Sequence, residues 1–524
     1  MQPSPKTSRI ISHFLFAAIW AFTIYIGTMG IDFGRHWDER KLMKSVRDSV
    51  PYASVLPGWY NYPSMIYDLV VLSSAPEIIT AYLLNRSEYT NSMEIWLAEK
   101  ALVLRARIVF LCIVTLSLLW VYLLLQQWTG QWMQALLGSA ILASAWEVSY
   151  HARWLAPDGI LMQFGILVIL LAFLAIRSSG KRSFVWLTLA AIAAGLACGT
   201  KYYGGIFLLP VFLTGFKVLR DAGAKPQKYI LVAIALAGIF AFVFVMSTPG
   251  SILETDRFIQ DIQFEIAHYQ SGHPGYTVEP GWQHFTLLAS YLSTVFFSKY
   301  AWFSICFFAF ALMGLFAILR ENPAKFETWI FLSVPLFYIP YISLQKVMMV
   351  RNDLLLFPFL AVLSARGIAA VWNLDFIRKS MTAKFFIPVL LALGLSLNFI
   401  WLVDSATSIL TRRSLDQAQA LQEYLLANPG TTFYLSTPAK RMLPNENIEG
   451  LQNVVNRPSL AEKYIYLSHE VENPLANRRG VYDAVFGPYE VNFDYYPSWD
   501  GDSRVIIMPM DSALRQSQFG IDNK

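Results

Sequence analysis

The chain has 524 residues, of which 55% are hydrophobic and only 15% charged. Soluble domains carry roughly 25% charged residues, so this composition excludes a water-soluble enzyme folded around one core. The net charge of +5 does not point to nucleic acid, because Lys and Arg stand in short clusters between apolar runs, where they act as orientation signals.

The apolar runs are about 18 to 22 residues long, enough to cross roughly 30 Å of hydrocarbon as helices. The first, about 11–30, follows Lys6 and Arg9, is too long for a signal-peptide core and lacks a small-residue cleavage site, so it reads as a retained anchor. Further spans are predicted near 103–126, 133–150, 159–176, 184–200, 202–216, 229–247, 301–319, 328–345, 353–371 and 385–404, about eleven in all. Cys112, Cys198 and Cys306 all fall inside these runs, where a cysteine is a small hydrophobe.

Arg177, Lys181 and Arg182 flank one connection, Lys217, Arg220, Lys225 and Lys228 a second, and Arg378, Lys379 and Lys384 a third. An N-terminus inside places all three in the cytoplasm. A first loop of about 31–102, a loop of about 248–284 and the tail from about 405 then lie outside. The stretches 62–84 and 283–299 read as helices lying in the interface, the former because Pro63, Asp68, Pro76 and Glu77 interrupt it. The tail is polar, with a helical pattern at 412–427 and short strands at Thr431–Ser436, Lys463–Ser468 and Arg504–Pro509, which predicts a small α/β domain over 405–524 outside a transmembrane module of 1–404.

Asp38 and Glu39 close the segment after the first span, where a partly desolvated carboxylate serves as general base for a hydroxyl or as a cation ligand. The plainer alternative is a pair of solvated charges at a helix start. In Tyr150–Asp158, Arg153 and Asp158 stand next to the bilayer with Glu147 one turn earlier, and such groups pair with one another or with a ligand. A structural clamp between Arg153 and Asp158 is the competing reading. Lys201 interrupts an otherwise apolar stretch at an outer helix end, and Arg351 stands at another. Each either snorkels to headgroups or supplies charge to a lipid phosphate, with glycines around Lys201 permitting close approach. Asp256–Gly275 is amphipathic up to about His268 and then breaks at Gly272, Pro274 and Gly275. The five-residue spacing of His268 and His273 across that break is no helical zinc pattern, and a substrate-positioning loop fits better.

Taken in order over about residues 20–410, these segments resemble the integral-membrane C-type-fold (GT-C) glycosyltransferases that use polyprenyl-phosphate sugars, in particular bacterial relatives of protein O-mannosyltransferases and lipid A aminoarabinose transferases. Asp38–Glu39 resembles the acidic pair of the first outer loop and Tyr62–Pro63 its downstream Tyr-Pro. Arg153 with Pro157–Asp158 resembles the second-loop motif, Gly199–Tyr202 the glycine segment ending in Lys-Tyr, Glu265, His268 and Gly272–Gly275 the fourth-loop signature, and Arg351–Pro358 the late Arg-to-Pro run. Ser64 departs from the pattern where many relatives have a second Pro, and Asn352 where an aromatic often follows the Arg.

The resemblance implies a polytopic helical protein of GT-C fold, in a bacterial inner membrane, with its active site on the periplasmic side. It implies inverting transfer of a sugar from a polyprenyl phosphate to an envelope lipid, glycan or protein, with Asp38 and Glu39 catalytic, Lys201, Arg351 and Arg153 near the donor phosphate, and Tyr62, Glu265, His268 and His273 on substrate loops. Asp158 is a second acid that, with Asp38, can hold a divalent cation such as Mg or Mn; no nucleotide cofactor and no nucleic acid are expected. The rival reading is a flippase of a lipid-linked sugar, which would place ionisable groups deeper in the bilayer and show a repeated architecture.

Overall fold

A computed structural model describes residues 5–31, 39–84, 86–272, 276–294, 297–298, 300–321, 325–411, 414–436, 439–440, 443, 451–467, 490–494 and 504–511. Two compact units result, one of Met1–Ile31 with Trp37–Leu402, the other containing Val403–Lys524.

In the first unit, α1 (Pro5–Thr28) leads into a short amphipathic α2 (Glu39–Ser49), then α3 (Met65–Ser73), α4 (Ala75–Leu84) and α5 (Tyr89–Ala98). The long helices follow: α6 (Lys100–Thr129), α7 (Trp132–Ser144) with the one-and-a-half-turn α8 (Trp146–His151), α9 (Pro157–Ile176), α10 (Lys181–Thr200), α11 (Leu208–Asp221) and α12 (Pro226–Ser247). After α13 (Gly250–Leu253), α14 (Thr255–Ser271) and α15 (Trp282–Thr294) come α16 (Ala301–Glu321), α17 (Phe326–Ser343), α18 (Phe357–Trp372), α19 (Asp375–Lys379) and α20 (Met381–Thr411).

Among the described residues nine helices are long and apolar enough to cross a membrane, ten if α3 and α4, bent by 61° at their junction, count as one. The expected count is about eleven, and the two further runs are helical as well. The run 133–150 is divided, because Ala145 adopts an extended conformation and stops α7 after 13 residues. The run 328–345 is the 18-residue α17, with Pro335 and Pro340 inside it. The stretch 62–84 is a bent pair of helices, and 283–299 shrinks to α15.

α9 is buried along almost its whole length, whereas α12 shows side chains such as Ile230, Ile234 and Phe242 to the outside. The former is the centre of the bundle and the latter has the apolar surface that lipid covers. Pro157 starts α9 where a missing N–H costs nothing. At one end of the bundle the basic connections gather: Arg177 lies 4.0 Å from Glu327, Arg220 stacks on Phe326, and Arg366 meets Glu321 at 2.6 Å. The start of α9 and the end of α10 lie at the other.

The second unit has α21 (Ser414–Ala427) and a four-stranded sheet of β1 (Phe433–Leu435), β2 (Lys463–Leu467), β3 (Glu490–Asp494) and β4 (Arg504–Pro509) in the order β1-β2-β4-β3. β1 and β2 are parallel and the other two pairings antiparallel. Alternation sorts the strands' side chains: Phe433, Leu435, Ile465 and Ile507 pack with Leu421 and Leu425 of α21, while Tyr464, Tyr466 and Met508 form a second cluster. The helix and three strands expected in the tail are present, and β3 is an addition.

α16 and α18 approach so closely that a Cβ at Gly367 would lie 1.8 Å from the Phe310 carbonyl oxygen, and one at Gly314 1.9 Å from that of Leu363. Backbone cannot yield as a side-chain tip can, so Gly367→Val is expected to cost about 1–3 kcal/mol and to lower the melting temperature in detergent. Gly238→Ala, in open space on α12, is the control that leaves it within error.

Candidate functional site

Lys201 stands where α10 ends, in extended conformation (φ −147°, ψ 140°), and the chain then turns through a 3-10 segment, Tyr202–Phe207. Gly204 permits that turn, since a Cβ there would lie 2.3 Å from the Ala197 carbonyl oxygen. The Lys201 ammonium is 3% exposed and donates to Asp158 Oδ1 at 2.6 Å and to Asn352 Oδ1 at 2.9 Å. The rings of Tyr62 and Tyr203 stand 5.3 and 5.2 Å from it, a cation between two aromatic faces. With two donors committed, one N–H of the ammonium remains for a ligand among the described residues.

Four further segments close on this point. The Tyr203 hydroxyl donates to Asp158 Oδ1 at 3.3 Å, and Asn352 Nδ2 donates to the Tyr269 hydroxyl at 3.0 Å. Arg351 directs Nη2 at the Tyr62 hydroxyl at 3.4 Å, and Tyr338 anchors the turn Val350–Leu356 by donating to the Asn352 carbonyl at 2.7 Å. Burial, followed by the proximity of Tyr269, Asp158 and Glu265, holds the Tyr62 phenol well above its ordinary range. Burial and the same two carboxylates push Tyr269 up as well, against the hydrogen bond from Asn352. Both phenols therefore stay neutral hydrogen-bonding groups.

The loop bearing Tyr62 is fixed from α14. Asp261 accepts from the Tyr60 backbone N–H at 2.7 Å, Glu254 from the Tyr60 hydroxyl, and Glu265 from Asn61 Nδ2 at 2.6 Å. The Tyr202 hydroxyl reaches the Tyr60 carbonyl at 2.5 Å. Glu265, expected on a substrate loop, thus holds that loop in place. His268 stacks on Phe264 with ring centroids 6.2 Å apart. Past α14, the backbone of 276–281 pairs with 343–348, including Val278 N–H to the Lys346 carbonyl at 2.8 Å.

Glu39 departs from its expected catalytic role. It is 4% exposed, and Arg107 of α6 donates Nε to one carboxylate oxygen at 2.9 Å and Nη2 to the other at 2.6 Å, while the Leu155 N–H adds a bond at 3.1 Å. Arg153 likewise leaves the expected phosphate site: it is fully buried and donates to the carbonyls of Met29 and Ile26 at 2.9 and 2.8 Å, holding the end of α1. The competing clamp between Arg153 and Asp158 is replaced by the Asp158–Lys201 pair. Asp38 and His273 lie outside the described residues.

Among the described residues no group of three or more His, Cys, Asp or Glu converges to hold a metal, and Asp158 already binds an ammonium through Oδ1. Asp38, the other half of the expected pair with Asp158, is not among the described residues, so no divalent ion is assigned to this site. Sequence reasoning missed Tyr203, Tyr269, Asp353 and Arg107; only Arg107, a charge well inside an apolar run, carried a signal.

Residues 95–246 match the family described as dolichyl-phosphate-mannose-protein mannosyltransferase. Two crystal structures of ArnT from Cupriavidus metallidurans, one bound to undecaprenyl phosphate and one in the apo state, align over 98% of this chain and 99% of theirs, with a TM-score of 0.50 and 13% sequence identity. No curated protein matches the sequence. The resemblance read from the ordered motifs is borne out as to fold, which is similar to that of the ArnT structures, and residues 95–246 are similar to the mannosyltransferase family.

Removing one partner of a buried pair strands the other charge, so Glu39→Gln and Arg107→Met are each expected to cost about 3–5 kcal/mol in chemical denaturation. Lys44→Ala, in an exposed pair with Asp48, is expected to cost under about 1 kcal/mol. A second expectation concerns His284, which is fully buried with Nδ1 2.7 Å from the Gln345 carbonyl oxygen. Burial holds its imidazole below the ordinary 6.5, so the unfolded chain takes up this proton first as pH falls. The stability it contributes is complete above pH 6.5 and is lost as pH drops below it. Melting temperatures measured across that window should fall less steeply for His284→Gln than for wild type.

Proposed function

We propose that this chain is a polyprenyl-phosphate-sugar-dependent glycosyltransferase that moves a sugar to a cell-envelope acceptor by inverting displacement. The observation that supports it most is the meeting of Lys201, at the end of α10, and Arg351, on the turn Val350–Leu356, around Tyr62 at one end of the bundle. Two cations beside neutral phenols form a site for a phosphate, and the partial burial raises the worth of each contact.

The chemistry needs little else. An acceptor hydroxyl attacks the anomeric carbon from the face opposite the phosphate. The new bond forms between that carbon and the acceptor oxygen, the bond to the phosphate oxygen breaks, and its electron pair stays on the departing polyprenyl phosphate. The uncommitted N–H of Lys201 and the Arg351 guanidinium stabilise the charge that develops there. The acceptor's proton passes to a carboxylate, for which Asp38 is our assignment. Asp158 keeps the ammonium aimed at the phosphate.

A bacterial inner membrane with the site on the periplasmic side agrees with the charge distribution: Arg177, Lys181, Arg182 and Lys217 stand at the opposite end of the bundle from Lys201. We extend the reading to a hexose or pentose as the transferred sugar and to an envelope lipid, glycan or protein as acceptor. The flippase reading uses the same two cations, but Lys201, Asp158 and Arg351 gather at one end of the bundle, where the flippase would place ionisable groups deeper in the bilayer.

Transfer from a panel of radiolabelled undecaprenyl-phosphate sugars in proteoliposomes tests the proposal. Wild type should consume one of them, and Lys201→Ala should turn over about a hundredfold more slowly or worse. If labelled lipid crosses the bilayer with its sugar intact and none is consumed, the protein is a flippase.

A further inference from the structure

Asp353 takes no part in the mechanism above, although it lies on the same short turn as Arg351 and Asn352. It is 1% exposed, and among the described residues neither carboxylate oxygen has a hydrogen-bond partner. Its electrostatic neighbours are Asp158, Lys201 and Glu147. Asp158 adds a third such oxygen, because Oδ2 is also buried without a partner. Of the other groups facing the cluster, Glu147 lies 3.2 Å from His151 Nε2, Tyr338 donates to the Asn352 carbonyl and Tyr203 to Asp158 Oδ1, so that the buried Tyr291 hydroxyl offers one O–H against three unmet carboxylate oxygens.

The cluster is therefore short of donors. Buried polar groups are satisfied with few exceptions, and an unmet carboxylate is among the costliest to leave. A phosphate does not correct this, since it brings only acceptors and draws on the donors of Lys201 and Arg351. A group rich in O–H or N–H does correct it.

We propose that Asp353 is a specificity-determining residue that accepts a hydrogen bond from a hydroxyl or amino group of the donor sugar. This rests on the glycosyltransferase reading and deepens it by giving the sugar, as distinct from its phosphate, an anchor of its own. A transferable group lacking an O–H or N–H at the matching position would leave the carboxylate unmet and be rejected.

Binding of bare undecaprenyl phosphate and of undecaprenyl-phosphate hexoses, pentoses and their monodeoxy analogues to the purified full-length protein, for wild type, Asp353→Asn and Asp353→Leu, tests it. At least one sugar lipid should bind wild type more tightly than the bare lipid. Asp353→Leu should lose about tenfold or more of that increment while binding the bare lipid as wild type does. Asp353→Asn, which keeps the shape and one acceptor oxygen, should fall between, and one deoxy analogue should bind wild type and Asp353→Leu alike. Unchanged bare-lipid binding also shows that the variants fold. An increment that survives in Asp353→Leu, a loss shared equally by bare and sugar-linked lipid, or no increment in wild type overturns the assignment. Failure of wild type to bind undecaprenyl phosphate at all overturns the glycosyltransferase reading beneath it.

Discussion

The ion pair between Lys201 and Asp158 is the constraint on which the rest of the site depends. Both side chains are almost fully buried, 2.6 Å apart. Taking two charges out of water costs several kcal/mol each, and their attraction offsets this only if geometry is tight and the remaining valences are met. The protein supplies that geometry from separate helices: Asp158 from the first turn of a buried helix opened by Pro157, Lys201 from the extended residue that ends the next, and Asn352 from a turn fixed by Tyr338. Such an arrangement contributes little to stability in itself. What it does is hold the Lys201 side chain at a defined point in a poorly hydrated place, which is what stabilising a developing phosphate charge requires.

A second buried pair, Glu39 with Arg107, supports the first from a distance. It joins α2 to α6, and through the Leu155 N–H it reaches the corner that leads into α9. Arg153 ties that corner to the end of α1. These charges act on architecture, and the carboxylates of α14 act similarly on the Tyr60–Tyr62 loop. The membrane-surface acids and bases thus divide into those that fix loops and those that face the central ammonium.

Much of this was legible in the sequence, because apolar length is read directly and because a charge inside an apolar run is expensive. The long helices and the prominence of Lys201, Asp158 and Arg351 follow from those two facts, the small α/β tail follows from its periodicity, and Tyr62 stood out only through the resemblance. Partner choice was not legible. Nothing in a dipeptide such as Asp38–Glu39 shows that Glu39 meets an arginine 68 positions later, and Arg153 is as suited to capping a helix end as to holding a phosphate. Tyr269, on α14, and Asn352, on the turn Val350–Leu356, carry no sign of each other until folding brings them within 3.0 Å. The divided α7 was missed because hydropathy averages over a single extended residue at Ala145.

The most direct measurement is a structure of the protein in lipid nanodiscs with undecaprenyl phosphate. The account predicts the phosphate in hydrogen-bond reach of both Lys201 Nζ and the Arg351 guanidinium, at roughly 3 Å, with Asp158 still paired to Lys201. A phosphate bound elsewhere on the chain, with the Lys201 cluster unchanged from its ligand-free arrangement, would contradict it.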